Sequence, residues 1–391
     1  MASERMINPI IICNILNHGY TYDEWSTSFI IGMSKITWVK NITLIVSPSN
    51  GGDSIILPKK CKVLEIMDYK KPISMSRLVS KIKKIQGDPV IVIYGPTAFG
   101  NKSLSNLVGM LLPLLISKIA HKNVKIINQG SVYTHDAESL GYNTLFDKLR
   151  KGSVGIIEKF VYARIKTYFQ LDYYGNLVSK KIGKKCVAGV IKSDYIDPIA
   201  TLSINGMDSL EHISRNKKGA KINILLHGFW GPQKDPKVAL EAISKLKKNY
   251  LNICLTVSGG INNHFPGYEV HFNNLLLKYD CIIDKYLGYV NEKDLVSLFL
   301  NNEIVLMPYR VSGGQSGVLE MASFFENIVV CTDLPEFREE RKSDLIILTD
   351  LSNFDQSIQM AIERIDQIPQ TISVSDKINL VIKNITDFLL D

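Results

Sequence analysis

Short apolar runs alternate with amphipathic stretches along the whole chain. In the first half, continuous Val, Ile and Leu runs predict strands at residues 10–16, 42–47, 61–66, 90–94, 124–128, 168–172 and 186–190. Between them, apolar positions three and four apart predict helices over 24–35, 76–85, 103–120 and 155–164. A polar, broken stretch follows over 193–221, and the alternation then restarts. Strands are predicted at 222–227, 251–258, 281–287, 304–308, 328–332 and 345–348. Helices are predicted at 236–246, 272–279, 292–301, 317–325, 354–365 and 376–389.

Apolar strands separated by helices mean parallel sheets covered on both faces, so the fold class is α/β. The chain has 391 residues, a length that suits two domains of ordinary size. The pattern divides it into a Rossmann-like domain at 1–200, a linker at 201–221 and a second Rossmann-like domain at 222–375. A closing helix at 376–391 is expected to pack back on the first domain. In such sheets ligands sit beyond the carboxyl ends of the strands, here facing a central cleft.

Two stretches carry candidate chemistry, each at the end of a predicted strand. The strand at 304–308 runs into Tyr309, Arg310 and Val311. A loop of Ser312, Gly313, Gly314, Gln315, Ser316 and Gly317 then enters a helix that holds Glu320 in its first turn. Glycines at a helix start let a phosphate approach backbone N–H groups and the positive end of the helix dipole. A tight turn capped by Ser316 would account for the same residues without a ligand. Arg310 before the loop and Glu320 after it favour the ligand. The strand at 222–227 opens into a turn with Gly228 and Gly231, and Lys234 precedes the next helix. A cation near a helix start is disfavoured by the dipole unless an anion is nearby. Lys234 therefore reads as a partner for a diphosphate leaving group.

In order and spacing, this second half resembles the retaining nucleotide-sugar glycosyltransferases of family four, which have the GT-B fold. The matching pieces are the turn from Gly228 to Lys234, Gly288-Tyr289-Val290 ahead of a helix, and Pro308-Tyr309 followed by Gly313 to Glu320. The resemblance implies transfer of a sugar from a nucleoside diphosphate-sugar to a hydroxyl, with retention of configuration. Lys234, Gln315, Ser316 and Gly317 would bind the diphosphate, Glu320 the ribose, and the loop of Gly288, Tyr289 and Val290 the base. Ser312 stands where the family usually has a first glutamate on the donor sugar. Phe229 stands where it often has an arginine, and Arg310 is the nearest replacement cation. Rival readings are a nucleotide-sugar epimerase of the same fold, a non-catalytic sugar-binding protein and an inactive scaffold.

On the acceptor side, one first-domain loop carries His18 and Gly19, and another carries His135 and Asp136. His135 and Asp136 are candidates for orienting a sugar hydroxyl and assisting proton removal, with a plain polar loop as the alternative. Neither histidine has a second ligand at metal spacing, so no metal and no cofactor is expected.

Composition narrows the partners. The net charge is +8, but residues 1–200 carry 27 Lys and Arg against 14 Asp and Glu, whereas residues 201–391 carry 19 against 24. The basic half suits an anionic partner, and cations beside large apolar residues over 148–166 suit an anionic membrane surface. A glycan or lipid-linked acceptor is expected on this ground and on family habit. No nucleic-acid recognition motif accompanies the charge. The six cysteines show no metal or redox spacing. The start of the chain lacks a signal-peptide pattern. The longest helical apolar stretch, 107–120, is shorter than a bilayer and contains Pro113. The expected location is cytoplasmic, peripheral to the inner face of the membrane.

Overall fold

The structure is a computed structural model. It describes residues 6–13, 21–46, 57–66, 72–94, 109–131, 145–183, 187–192, 194–215, 221–262, 265, 267–312 and 314–391. The chain forms two compact units. The first comprises Met1–Ile196, Gly313–Gln315 and Leu380–Asp391; the second comprises Asp197–Ser312 and Ser316–Asn379.

The first unit is built on seven parallel strands: β1 (Ile10–Ile12), β2 (Ile42–Val46), β3 (Cys61–Glu65), β4 (Val90–Tyr94), β5 (Val124–Asn128), β6 (Lys166–Phe169) and β7 (Gly189–Val190). Their spatial order is β3-β2-β1-β4-β5-β6-β7. The central strands β4 and β5 are buried along their whole length, as sheets covered on both faces require. Lys125 is the one cation within β5. Its ammonium leaves the apolar layer to bond the carbonyls of Phe388 and Leu389, at 2.7 and 3.1 Å, at the end of the closing helix Val374–Leu390.

The predicted strand at 168–172 is corrected. The strand ends at Phe169, and a helix, Asp172–Ile182, begins within the expected span. Tyr174, Gly175 and Val178 recur at helical spacing and are buried, and Asp172 lies in the first turn where the dipole favours a carboxylate.

The second unit has six parallel strands: β9 (Ile222–His227), β10 (Ile253–Ser258), β11 (Lys285–Tyr286), β12 (Ile304–Met307), β13 (Ile328–Thr332) and β14 (Ile346–Thr349), in the order β11-β10-β9-β12-β13-β14. Helices Pro236–Leu246, Tyr268–Lys278, Glu292–Leu300, Gly317–Phe324 and Phe354–Glu363 connect or follow them. A short antiparallel pair, β8 (His212–Ser214) with β15 (Thr371–Ser373), stands beside this sheet in sequence order.

Two expectations change here. Residues 281–287 form a short strand of two exposed residues preceded by a 3-10 turn, Asp280–Ile282. The Asp284 carboxylate accepts the Leu255 amide at 2.7 Å and pairs with Lys247 at 2.5 Å, so a side chain takes part of the ladder's role at this edge. Within the expected linker at 201–221, residues 201–204 end a helix and residues 212–214 form a strand. Helix Pro198–Ile204 packs on helices Glu292–Leu300 and Gly317–Phe324, and β8 follows. Arg215 caps three carbonyls of the second unit, those of Leu300, Asn302 and Phe325.

Candidate functional site

Strand order locates the site. In the second sheet β9 and β12 are neighbours, with Ile304 beside Ile224 and Leu306 beside Leu226. The chain winds outward in opposite directions from this pair, so their connecting loops part and leave a crevice at the strands' carboxyl ends. The two loops that leave here are the ones bearing the candidate residues.

The loop after β9 is tied down by its backbone. The Trp230 amide donates to Gly260 at 2.8 Å, Asp235 to Pro308 at 2.9 Å, and Arg310 to Gln233 at 2.9 Å. Trp230 is fully buried and stacks on Phe272 with ring centroids 5.2 Å apart. Gly259, after β10, has φ +112°, and a Cβ on it would lie 1.8 Å from the Gly228 carbonyl oxygen. The loops after β9 and β10 therefore meet backbone to backbone, which only glycine permits.

This frame holds Lys234. Its ammonium lies 4.5 Å from the centre of the Tyr309 ring, and a Cβ on Gly228 would lie 2.9 Å from it. No acidic side chain pairs with Lys234 among the described residues. The amine therefore stands over glycine and an aromatic face with its charge uncompensated. The buried Tyr309 hydroxyl and Gln233 Oε1 beside it have no hydrogen-bond partner among the described residues. His227, at the end of β9, is pushed down to about 3 by burial and by the Lys234 charge. It is neutral at physiological pH, with Nδ1 2.9 Å from the Ser258 hydroxyl.

Arg310 lies in the second loop, but its guanidinium is engaged: Nε donates to Asp235 Oδ2 at 2.9 Å, and Nη2 pairs with the same oxygen. The pair fastens the two loops together and compensates the Arg310 charge, whereas Lys234 has no such partner among the described residues.

Helix Gly317–Phe324 begins at an Ser316 cap, whose hydroxyl accepts the Leu319 amide at 3.4 Å. The amides of Gly317 and Val318 have no acceptor among the described residues, as the helix geometry leaves them. The Ser316 amide differs from expectation: it donates to Glu340 Oε1 at 3.4 Å. Glu320 is fully buried and ion-paired with Lys342 rather than presented to solvent. A Cβ on Gly317 would lie 3.3 Å from Asp197 Oδ2. Glu340, Lys342 and Asp197 come from the chain before and after the motif, and nothing in the local spacing pointed to them.

Ser312 is buried, and Gly314 and Gln315 are half-buried. On the β10–β11 side, Gly288 has φ +59°, the left-handed conformation expected of a turn glycine. Tyr289 is exposed and leans on Phe229 with ring centroids 6.3 Å apart, while Val290 is half-buried. Gly228 and Gly231 are buried. Gly313, His18, Gly19, His135 and Asp136 lie outside the described residues.

No protein-family model matches the sequence. No curated protein matches it. Solved structures do match over nearly the whole chain. The structure of HepE from Anabaena with UDP and glucose superposes with a TM-score of 0.62 at 11% identity, covering 98% of each chain. Sucrose-phosphate synthase from Thermosynechococcus elongatus gives 0.64 at 10% identity, over 98% of this chain and 95% of that one. WaaG, a glycosyltransferase involved in lipopolysaccharide biosynthesis, gives 0.57 at 11% identity, over 97% and 95%. At these identities the likeness is one of fold, and the fold of this chain is that of the GT-B glycosyltransferases.

Proposed function

We propose that the protein is a retaining glycosyltransferase that takes a sugar from a nucleoside diphosphate-sugar and transfers it to a hydroxyl of a glycan or lipid-linked acceptor. The observation that carries this reading is the Lys234 ammonium, without an acidic partner among the described residues, at the same strand-order reversal where the Gly317 and Val318 amides have no acceptor among them. Binding of UDP and UDP-glucose by HepE, which shares the fold, supports the same donor class.

In the proposed reaction the bond between the anomeric carbon and the diphosphate oxygen breaks as the acceptor oxygen bonds to that carbon. The electron pair goes to the diphosphate. Lys234 and the amides of Gly317 and Val318 stabilise the charge that develops there. The Arg310–Asp235 pair holds the loop that carries Lys234. Glu320 is assigned to the ribose diol on the family resemblance, and because it is fully buried on Lys342 this contact requires that pair to open. Tyr289 and Phe229 form an aromatic surface suited to the base. His135 is assigned to orient the acceptor hydroxyl and Asp136 to take the proton that the hydroxyl loses, and no metal takes part.

The surface of the first unit supports a lipid-linked acceptor. On helix Leu145–Tyr162, Ile156 is 74% exposed and Phe160 47% exposed, beside exposed Lys159, and Arg164 stacks 3.9 Å from the Phe160 ring. Exposed apolar side chains beside cations suit the surface of an anionic bilayer. Among the described residues no helix is long and apolar enough to cross a membrane.

Thermal shift against nucleoside diphosphates and their sugars, followed by product analysis with and without acceptors, tests the reading. Stabilisation by a nucleoside diphosphate and sugar transfer to an added hydroxyl are expected. A donor-only change of sugar configuration would instead indicate an epimerase. Binding of free sugars without nucleotides would overturn the assignment.

A further inference from the structure

A charged cluster lies buried beneath the start of helix Gly317–Phe324. Glu320 is ion-paired with Lys342 and has no exposed surface. Glu340, which follows helix Pro335–Glu339, is 3% exposed. Its Oε1 accepts the Ser316 amide at 3.4 Å, and its Oε2 has no hydrogen-bond partner among the described residues. Two buried carboxyl groups thus lie close to one ammonium, Lys342, whose ion pair is with Glu320. A second buried negative charge without a counter-ion is costly, so one carboxyl keeps its proton. Lys342 sits on Glu320, which leaves Glu340 as the protonated member. Burial, then the Glu320 charge, push the Glu340 carboxyl well above the ordinary carboxylate range. Asp197, from the start of helix Pro198–Ile204, adds to the rise, and Lys342 and the Ser316 amide oppose it. Cys331 on β13 also faces Glu340, and its thiol is raised by burial, so it remains neutral.

We propose that Glu340 is the positioning residue of the diphosphate site: as a neutral carboxylic acid it braces the Ser316 amide without adding a further anion to the helix end that Asp197 already borders, so that Glu340 ionisation weakens donor binding. The proposal rests on the donor reading above. Its geometry is a buried carboxyl with one oxygen on the cap amide and the other without a partner among the described residues, at the helix end whose next two amides have no acceptor among them. A neutral acid there bonds Ser316 without cancelling the helix dipole. A carboxylate in the same place would act as an internal anion, competing for that dipole and repelling a diphosphate. Lys342 cannot neutralise both carboxylates at once.

The test is the pH dependence of affinity in the full chain. UDP-glucose is the first probe, and GDP-mannose replaces it if only the guanine nucleotide binds. The diphosphate diester of either keeps a constant charge through neutral and mildly alkaline pH. Isothermal titration from about pH 6 to about pH 9 should show wild-type affinity falling about tenfold, the effect of one newly ionised neighbour. Glu340→Gln keeps the amide acceptor and cannot ionise, so its affinity should match wild type at the acid end and fall less than about twofold. A flat wild-type profile with measurable binding overturns the proposal and leaves the donor reading standing. So does an equal fall in Glu340→Gln, or loss of its binding while the variant remains folded by circular dichroism. If the variant does not fold, the wild-type profile alone decides. If neither sugar nucleotide binds at any pH, the donor reading fails and the proposal falls with it.

Discussion

The Lys234 ammonium lies over the face of Tyr309, 4.5 Å from the ring centre, and the same two residues pair through their backbones in an isolated bridge between the loops after β9 and β12. Tyr309 is itself buried against Phe337. An amine is thereby positioned by an aromatic face, which attracts it without neutralising it as a carboxylate would. Lys234→Ala is expected to lower kcat about 100-fold or more with the fold intact. Tyr309→Leu should lower it about tenfold, whereas Tyr309→Phe, which keeps the ring, should stay near wild type. Steady-state kinetics with saturating donor checks all three, and near-normal turnover of Lys234→Ala would remove Lys234 from the reaction.

Gly259 offers a test of the backbone contact beneath the site. A methyl group there would meet the Gly228 carbonyl at 1.8 Å, and φ of +112° is strained for any other residue. Gly259→Ala is expected to cost about 3 kcal/mol of stability, combining backbone strain with displacement of the β9 loop. Urea unfolding measures it, and an unchanged midpoint would contradict the close approach.

The buried Glu340 carboxyl also shapes stability against pH. Its folded value lies well above its unfolded one, because of burial and then Glu320. Its contribution is therefore fully present below the ordinary carboxylate range and is lost as pH rises towards the folded value. Glu340→Gln should accordingly gain on wild type as pH rises from about 5 to about 8. Urea midpoints measured in parallel at several pH values will show whether the two curves diverge in that direction.

Lys125→Met should weaken the first unit by roughly 1–3 kcal/mol, since the Phe388 and Leu389 carbonyls lose a buried charged donor while the apolar stem is kept. Hydrogen exchange should report the loss in the last turn of helix Val374–Leu390 before it spreads. Equal protection in both proteins would show that this cap is dispensable.

Periodicity made most of both sheets legible. Runs such as Ile304–Met307 are apolar throughout and lie in the middle of a sheet, and Pro236–Leu246 carries its start signal in Pro236. Reading failed where local pattern and tertiary role part. The edge strand Lys285–Tyr286 is short, exposed and completed by the Asp284 carboxylate, so no apolar run marks its true length. Helix Pro198–Ile204 sits in a stretch whose polar flanks look like a linker, yet its Ile199, Ala200 and Leu202 are buried.

The candidate site was legible in its turns and not in its long-range partners. Glycine turns after strands pointed to Gly228, Lys234 and Ser316. A lone Arg310 looked like a free cation because its partner Asp235 lies 75 positions earlier. Glu320 looked available for a ligand because Lys342, 22 positions later, cannot be paired with it by spacing alone.

The protein has three tryptophans, and Trp25 and Trp38 belong to the first unit. Trp230, the only indole of the second, is stacked on Phe272 within the very loop that presents Lys234. With phenylalanine at positions 25 and 38, the chain would emit from a single site a few residues from the reacting amine. Its intrinsic fluorescence would then be an optical readout of the donor loop, usable to time nucleotide arrival without any attached dye.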